Sequence, residues 1–278
     1  MPRTRNRNPR SALEAPPWSR TRLLLMLGGL ALAAFLTLVG GGLAVWHAAV
    51  GDRQPAAVAP DDLGTGTVEV RPSRDEIATA AMGAVDPQAA FNPDPATTSG
   101  ASIVVPQPWV LYGPAGVPTG FPQTYEGAVG QWAAIAQTVL ESMSLSRTRE
   151  IHAAWVQTGG PPFEHWTLTL NVTSFLTAAR QGGDEKDLTT VVSAAPAAGV
   201  VKGSDGPGWT VACVLLDVQA WIKTESRMGY GLCSRMEWID GRWQVANGAE
   251  PAPAPSAWPG SNAAVAAGWL NWREGGVR

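Results

Sequence analysis

Residues 208–246, GWTVACVLLDVQAWIKTESRMGYGLCSRMEWIDGRWQVA, carry the clearest architectural signal in the chain. The stretches 208–223 and 227–239 read as two strands folding back about Lys223. Asp240-Gly241 is a tight hairpin signal, and 242–246 returns as the next strand. Cys213 and Cys233 each lie ten residues from Lys223, so the hairpin sets them opposite one another. Directly opposed residues of an antiparallel pair have Cα atoms about 4.5–5.5 Å apart, within disulfide range. The pair therefore reads as a structural staple, the alternative being two buried thiols acting as small hydrophobes. Shorter strands are expected at 189–193 and 198–202.

Upstream the periodicity changes. Ala128, Trp132, Ile135, Val139 and Met143 repeat at helical spacing, with Thr124 as cap and Glu126 in the first turn, predicting a helix over 125–143. Ile151 and Trp155 extend helical spacing until Gly159 and the prolines after it. Residues 163–181 alternate like a strand at 167–172 but end like a capped helix at Gly182-Gly183, and helix is the preferred reading. Downstream, after the Pro/Ala segment 251–259, Ser261 caps a short helix running through Trp272. Helices followed by an antiparallel meander make the 108–278 region an α+β domain with its helices on one sheet face.

The N-terminal third has a different character. Residues 23–46 contain no charged side chain and exceed the ~20 residues needed to cross a hydrocarbon core. Six arginines and one glutamate precede them within 1–22, so the tail is cytoplasmic and the rest extracytoplasmic. The apolar stretch is too long for a cleaved signal, and Trp46 and His47 stand where small residues would be required. Residues 47–107, rich in Pro, Ala, Gly and Asp, read as a disordered linker. A coil of ~55 residues would span roughly 40 Å, with a short helix at 75–82 as the one local exception. The expectation is a bacterial membrane protein with a single span.

The segment 116–129, GVPTGFPQTYEGAV, resembles one found in single-span membrane proteins of actinobacterial conjugative elements. The whole plan also resembles the bitopic assembly subunits of type IV secretion channels. That resemblance implies a cone-like outer domain similar to nuclear transport factor 2, with helices packed on a curved antiparallel sheet and 238–245 as its final hairpin. It implies a scaffold without catalytic residues, whose partners are other channel subunits, further copies of itself and the bilayer. The Pro/Ala segment 251–259 and the C-terminal helix after it depart from the family plan.

Chemistry-bearing patterns are sparse. His47, His152 and His165 occupy no metal-ligand spacing, and neither a phosphate loop nor a nucleophile elbow occurs, so no catalytic, cofactor or metal residue is assigned. Glu164 beside His165 could serve acid–base chemistry in a cone fold, but reads better as a surface pair. Residues 101–278 carry net charge −3, which argues against a nucleic-acid face. Eleven of thirteen tryptophans lie beyond residue 100. Trp258, Trp269 and Trp272 are the candidate partner contacts, since Trp is enriched at binding hot spots. The competing readings are an exported cone-fold enzyme, a small-ligand binder, or a module recognising wall glycan through Trp258.

Overall fold

The computed structural model describes residues 72–276. The 1–22 tail, the 23–46 span and the first part of the expected linker lie outside the described residues. Among the described residues no helix is long and apolar enough to cross a membrane.

Six strands form one sheet: β1 (Ser102–Val105), β2 (Val191–Ser204), β3 (Trp209–Trp221), β4 (Glu225–Ile239), β5 (Arg242–Val245) and β6 (Leu270–Glu274). Their order is β1-β6-β2-β3-β4-β5, antiparallel throughout except for the parallel β1–β6 pair. The β3–β4 hairpin turns at Lys223, with Trp221 opposite Glu225 and Cys213 opposite Cys233. The strands expected at 189–193 and 198–202 are one strand, β2. Its register slips at Pro196/Ala198 and at Val201/Gly203. Such bulges bend a strand and increase its twist, and the sheet curls into a half-barrel.

Five helices complete an α+β architecture: α1 (Arg74–Thr79), α2 (Tyr125–Ser142), α3 (Leu145–Trp155), α4 (Thr167–Ala178) and α5 (Asn262–Ala266). Thr124 caps α2 by accepting from the Gly127 amide at 3.0 Å. Met143, in the left-handed conformation, ends it. The ambiguous 163–181 stretch is helical, a single 3-10 turn (Phe163–His165) leading into α4.

β3 is covered on both faces. Ala212, Val214 and Leu216 meet the helical layer, whereas Trp209, Val211, Cys213 and Leu215 enter a second core with Ile77, Ala257 and Trp269. This accounts for the strand's unbroken apolar run, since a strand buried on both sides has no polar alternation. Helices on one face was therefore half the picture. The other face is covered from both flanks of the domain, by the short helices Arg74–Thr79 and Asn262–Ala266 and by the irregular chain around Ala257.

Two expectations need correction. Residues 72–107 are no linker. The Ser73/Glu76 capping box starts α1, Ile77 and Ala90 are buried, and Ile103 and Val105 of β1 sit in the main core. Ion pairs fasten this segment: Arg74 reaches Asp205 at 2.7 Å and Glu237 at 3.0 Å, and Arg235 reaches Asp75 at 2.7 Å. Nor does a helix run from Ser261 to Trp272. It stops at Ala266, Gly268 takes φ +91°, and the chain leaves as β6 beside β1.

Candidate interaction surfaces

A cone fold could hold a ligand between its helices and its sheet, and here that space is filled. Trp132 of α2, Trp155 of α3, Trp166 and Trp243 of β5 are all fully buried there, with Ile135, Leu168 and Met236 between them. Three of the indoles donate to backbone carbonyls: Trp132 to Leu232 (3.3 Å), Trp155 to Pro114 (3.0 Å) and Trp243 to Pro122 (2.9 Å). A buried indole with its N–H satisfied is packing material with a fixed orientation.

The 116–129 segment is the lock that sets this arrangement. Pro122 lays its carbonyl against the first turn of α2 and also receives the Trp243 N–H. Gly127 permits that approach, because a methyl group there would collide with the Pro122 oxygen. Gly127→Val should therefore push the lead-in off the helix and destabilise the domain by about 1–3 kcal/mol. Urea unfolding followed by far-ultraviolet circular dichroism checks this, and an unchanged midpoint would contradict it.

Polar groups gather where α4 meets β4. Glu250 accepts from the Thr167 amide (2.9 Å) and hydroxyl (2.6 Å) at the start of α4, where the helix dipole favours an acid. Burial nonetheless pushes its carboxyl above the ordinary glutamate value, against the Thr167 bonds and the nearby His165. Tyr230 of β4 is half-buried and donates to Asn171 Oδ1 at 2.9 Å, and desolvation pushes its phenol up to about 12. Asn171 Nδ2 and Thr169 Oγ1 are buried without partners. His152 sits at hydrogen-bond distance from the Pro161 carbonyl (2.8 Å), edge-on to Phe163 and Trp166. Glu164 faces Arg149 on the surface at 3.9 Å. No group of three or more potential metal ligands occurs among the described residues. These groups brace one another and leave no nucleophile beside a free base.

The Tyr230 shift has a signed consequence. The folded phenol keeps its proton up to about 12 while the unfolded one loses it near 10.0, so the unfolded state is favoured as pH rises through that window. Near neutrality the phenol is protonated in both states, so its titration leaves stability there unchanged. Tyr230→Phe should flatten the alkaline loss of stability relative to wild type, measured as urea midpoints across that range. It should also cost about 1 kcal/mol at neutral pH, because Asn171 Oδ1 loses its donor.

The three tryptophans proposed from sequence do not form one surface. Trp269 is only 3% exposed and donates to the Pro255 carbonyl at 3.1 Å, within the outer core. Trp272 packs against the opposite, helix-side core. Trp258 is half-buried beneath the Arg227 guanidinium, 4.9 Å from its ring centre, and Arg227 is itself held by Asp217. The Pro/Ala segment around them lies flat on the sheet. Gly229 of β4 makes room for the Ala257 carbonyl, and any side chain there would displace it. Cys213 and Cys233 are joined, Cα to Cα 4.0 Å, facing this outer layer.

What is exposed lies elsewhere. Trp109, Leu111 and Tyr112 are 74%, 65% and 89% accessible in one short loop, with Val110 between them. Leu188, Val191 and Trp221 are also exposed, and Val191 and Trp221 border a shallow open groove of about 410 Å³ near the β3–β4 turn. Nothing in the spacing of residues 109–112 singles this loop out. Its signal was compositional, because residues 95–125 contain no ionisable side chain except the tyrosines.

Comparison with family models, curated proteins and solved structures finds no match for this chain.

Proposed function

We propose that this protein is a membrane-anchored, non-enzymatic assembly module of a bacterial cell-envelope complex, best suited to a conjugative, type IV secretion-like channel. The observation that carries this reading is the filled space between helices and sheet. Four buried tryptophans occupy the space that a ligand or substrate would need, and the polar groups with displaced pKa values are engaged in internal bonds. The apolar run 23–46, with arginines before it, supplies the anchor and places the α+β domain outside the cytoplasm. The nuclear-transport-factor-2-like description of the cone belongs to the same proposal, supported by a half-barrel sheet with its three long helices packed on one face.

Crosslinking of the full-length chain in its native membrane, followed by mass spectrometry, tests the reading. Capture of transfer-channel subunits or of a defined homo-oligomer supports it, and a monomer without neighbours sinks it. One observation favours a small-ligand alternative, namely the unpartnered Asn171 Nδ2 and Thr169 Oγ1 beside Tyr230. A polar ligand recognised there would raise the thermal midpoint of wild type and not of Asn171→Leu.

A further inference from the structure

We propose that the loop 109–112 seats in the lipid–water interface, giving the outer domain a second contact with the bilayer. The inference rests on the membrane-anchor reading of residues 23–46 and adds a surface which that reading does not require.

The loop is apolar by composition and outward by construction. Residues on either side of it (Ile103, Val105, Val117 and Phe121) are core residues, while Trp109, Leu111 and Tyr112 point away from that core. Within 95–125 no Asp, Glu, Lys, Arg or His occurs, so the segment itself carries no fixed charge into an apolar boundary, while Arg147, paired with Glu150, borders it at the Ala115 carbonyl (2.7 Å). Trp and Tyr bracket Val110 and Leu111, and those two aromatics are the residues enriched at headgroup level, where one end is apolar and the other wet.

The tip is also preformed. Val110 and Thr119 exchange backbone hydrogen bonds at 3.0 and 2.8 Å, the Gly113 amide donates to Val117 at 3.0 Å, and the Trp109 ring lies over Gly120. A loop held open in this way loses little conformational freedom on docking, which favours binding per unit of area.

Reach argues for lipid over a distant partner. Only residues 47–71 separate the apolar run from the first described residue. Even fully extended, 25 residues reach no more than about 90 Å, so the domain is tethered to the membrane that holds the anchor. The other exposed apolar residues differ in kind, since Lys186, Asp187, Lys223 and Glu225 surround Leu188 and Trp221, which suits a protein rim.

The test uses the full-length chain, with Cys213–Cys233 oxidised, in vesicles of phosphatidylcholine and phosphatidylglycerol in equal parts. An environment-sensitive dye is placed in turn by Leu111→Cys, Leu188→Cys and Leu36→Cys, and some lipids carry a nitroxide on the acyl chain. The Leu111 dye should be quenched several-fold more than the Leu188 dye, with the Leu36 dye quenched as the anchor requires. A hydrated, unquenched dye at 111 beside a quenched one at 36 overturns the proposal and leaves the anchor standing. A blue-shifted but unquenched dye at 111 also overturns it, in favour of a second copy or another protein covering the loop. An unquenched dye at 36 removes the anchor reading itself, and the proposal with it.

Discussion

Trp132→Ala should lower the stability of the α+β domain by about 3–5 kcal/mol, the range for deleting a buried indole. The side chain is 2% exposed, and it projects from the middle of α2 onto β4, where its N–H meets the Leu232 carbonyl at 3.3 Å. Truncation opens a cavity between helix and sheet and removes the indole hydrogen bond to that carbonyl. Trp132→Phe separates the two effects, because it restores most of the volume and none of the hydrogen bond, and should cost about 1 kcal/mol beyond the lost packing. Urea unfolding of the detergent-solubilised full chain provides the measurement. Trp109→Ala is the internal contrast, since a side chain 74% exposed should leave the midpoint within about 0.5 kcal/mol of wild type. Comparable losses at Trp132 and Trp109 would refute the division into filling tryptophans and presenting ones. A gain in small-molecule binding by Trp132→Ala would show that the cone becomes a pocket only when its filler is removed, which favours the scaffold reading.

The parts of this fold legible in the sequence are those whose pattern outlasts its noise. α2 repeats its apolar positions over eighteen residues, and the β3–β4 hairpin is long enough that two cysteines equidistant from Lys223 fix the register. α1 has six residues and β1 four, too short for a period to be counted, and both sit in a stretch whose composition reads as a linker. Their order comes from outside themselves. Arg74 and Asp75 find charged partners on the sheet, and Ile77 finds the outer core beside Trp209. β6 was hidden for a related reason. Trp269 and Trp272 stand three residues apart, as on a helix face, but Gly268 turns the chain and β1, some 170 residues earlier, supplies the ladder. The same non-locality dissolves the tryptophan cluster proposed from sequence, since Trp269 and Trp272 belong to opposite cores. The exposed 109–112 loop was equally out of reach, because apolar residues beside prolines are as common in a core lead-in as at a tip.

Replacing Cys213 and Cys233 together by alanine should cost about 3 kcal/mol, the chain-entropy value for releasing a loop of this length. The sequence separation is 20, and the bond joins the two longest neighbouring strands at the centre of the sheet. With a denaturant slope of about 2–3 kcal/mol/M for a domain of this size, the urea midpoint should fall by about 1 M. Loosening should be felt first on the outer face, where Cys213 is fully buried with Ile77 and Leu215 and Cys233 lies against Met82. Hydrogen exchange across 74–90 should therefore accelerate before exchange in α2 does. The same pair reports the compartment. A disulfide persists where the environment is oxidising and is held reduced in a cytosol. Alkylation of intact cells by a membrane-permeant thiol reagent should therefore find both cysteines blocked if residues 72–276 face outward. Ready alkylation would place the domain in the cytosol and invert the assigned topology, whereas blocked thiols that become reactive only after reduction would support the outward orientation on which the assembly role and the interfacial loop both depend.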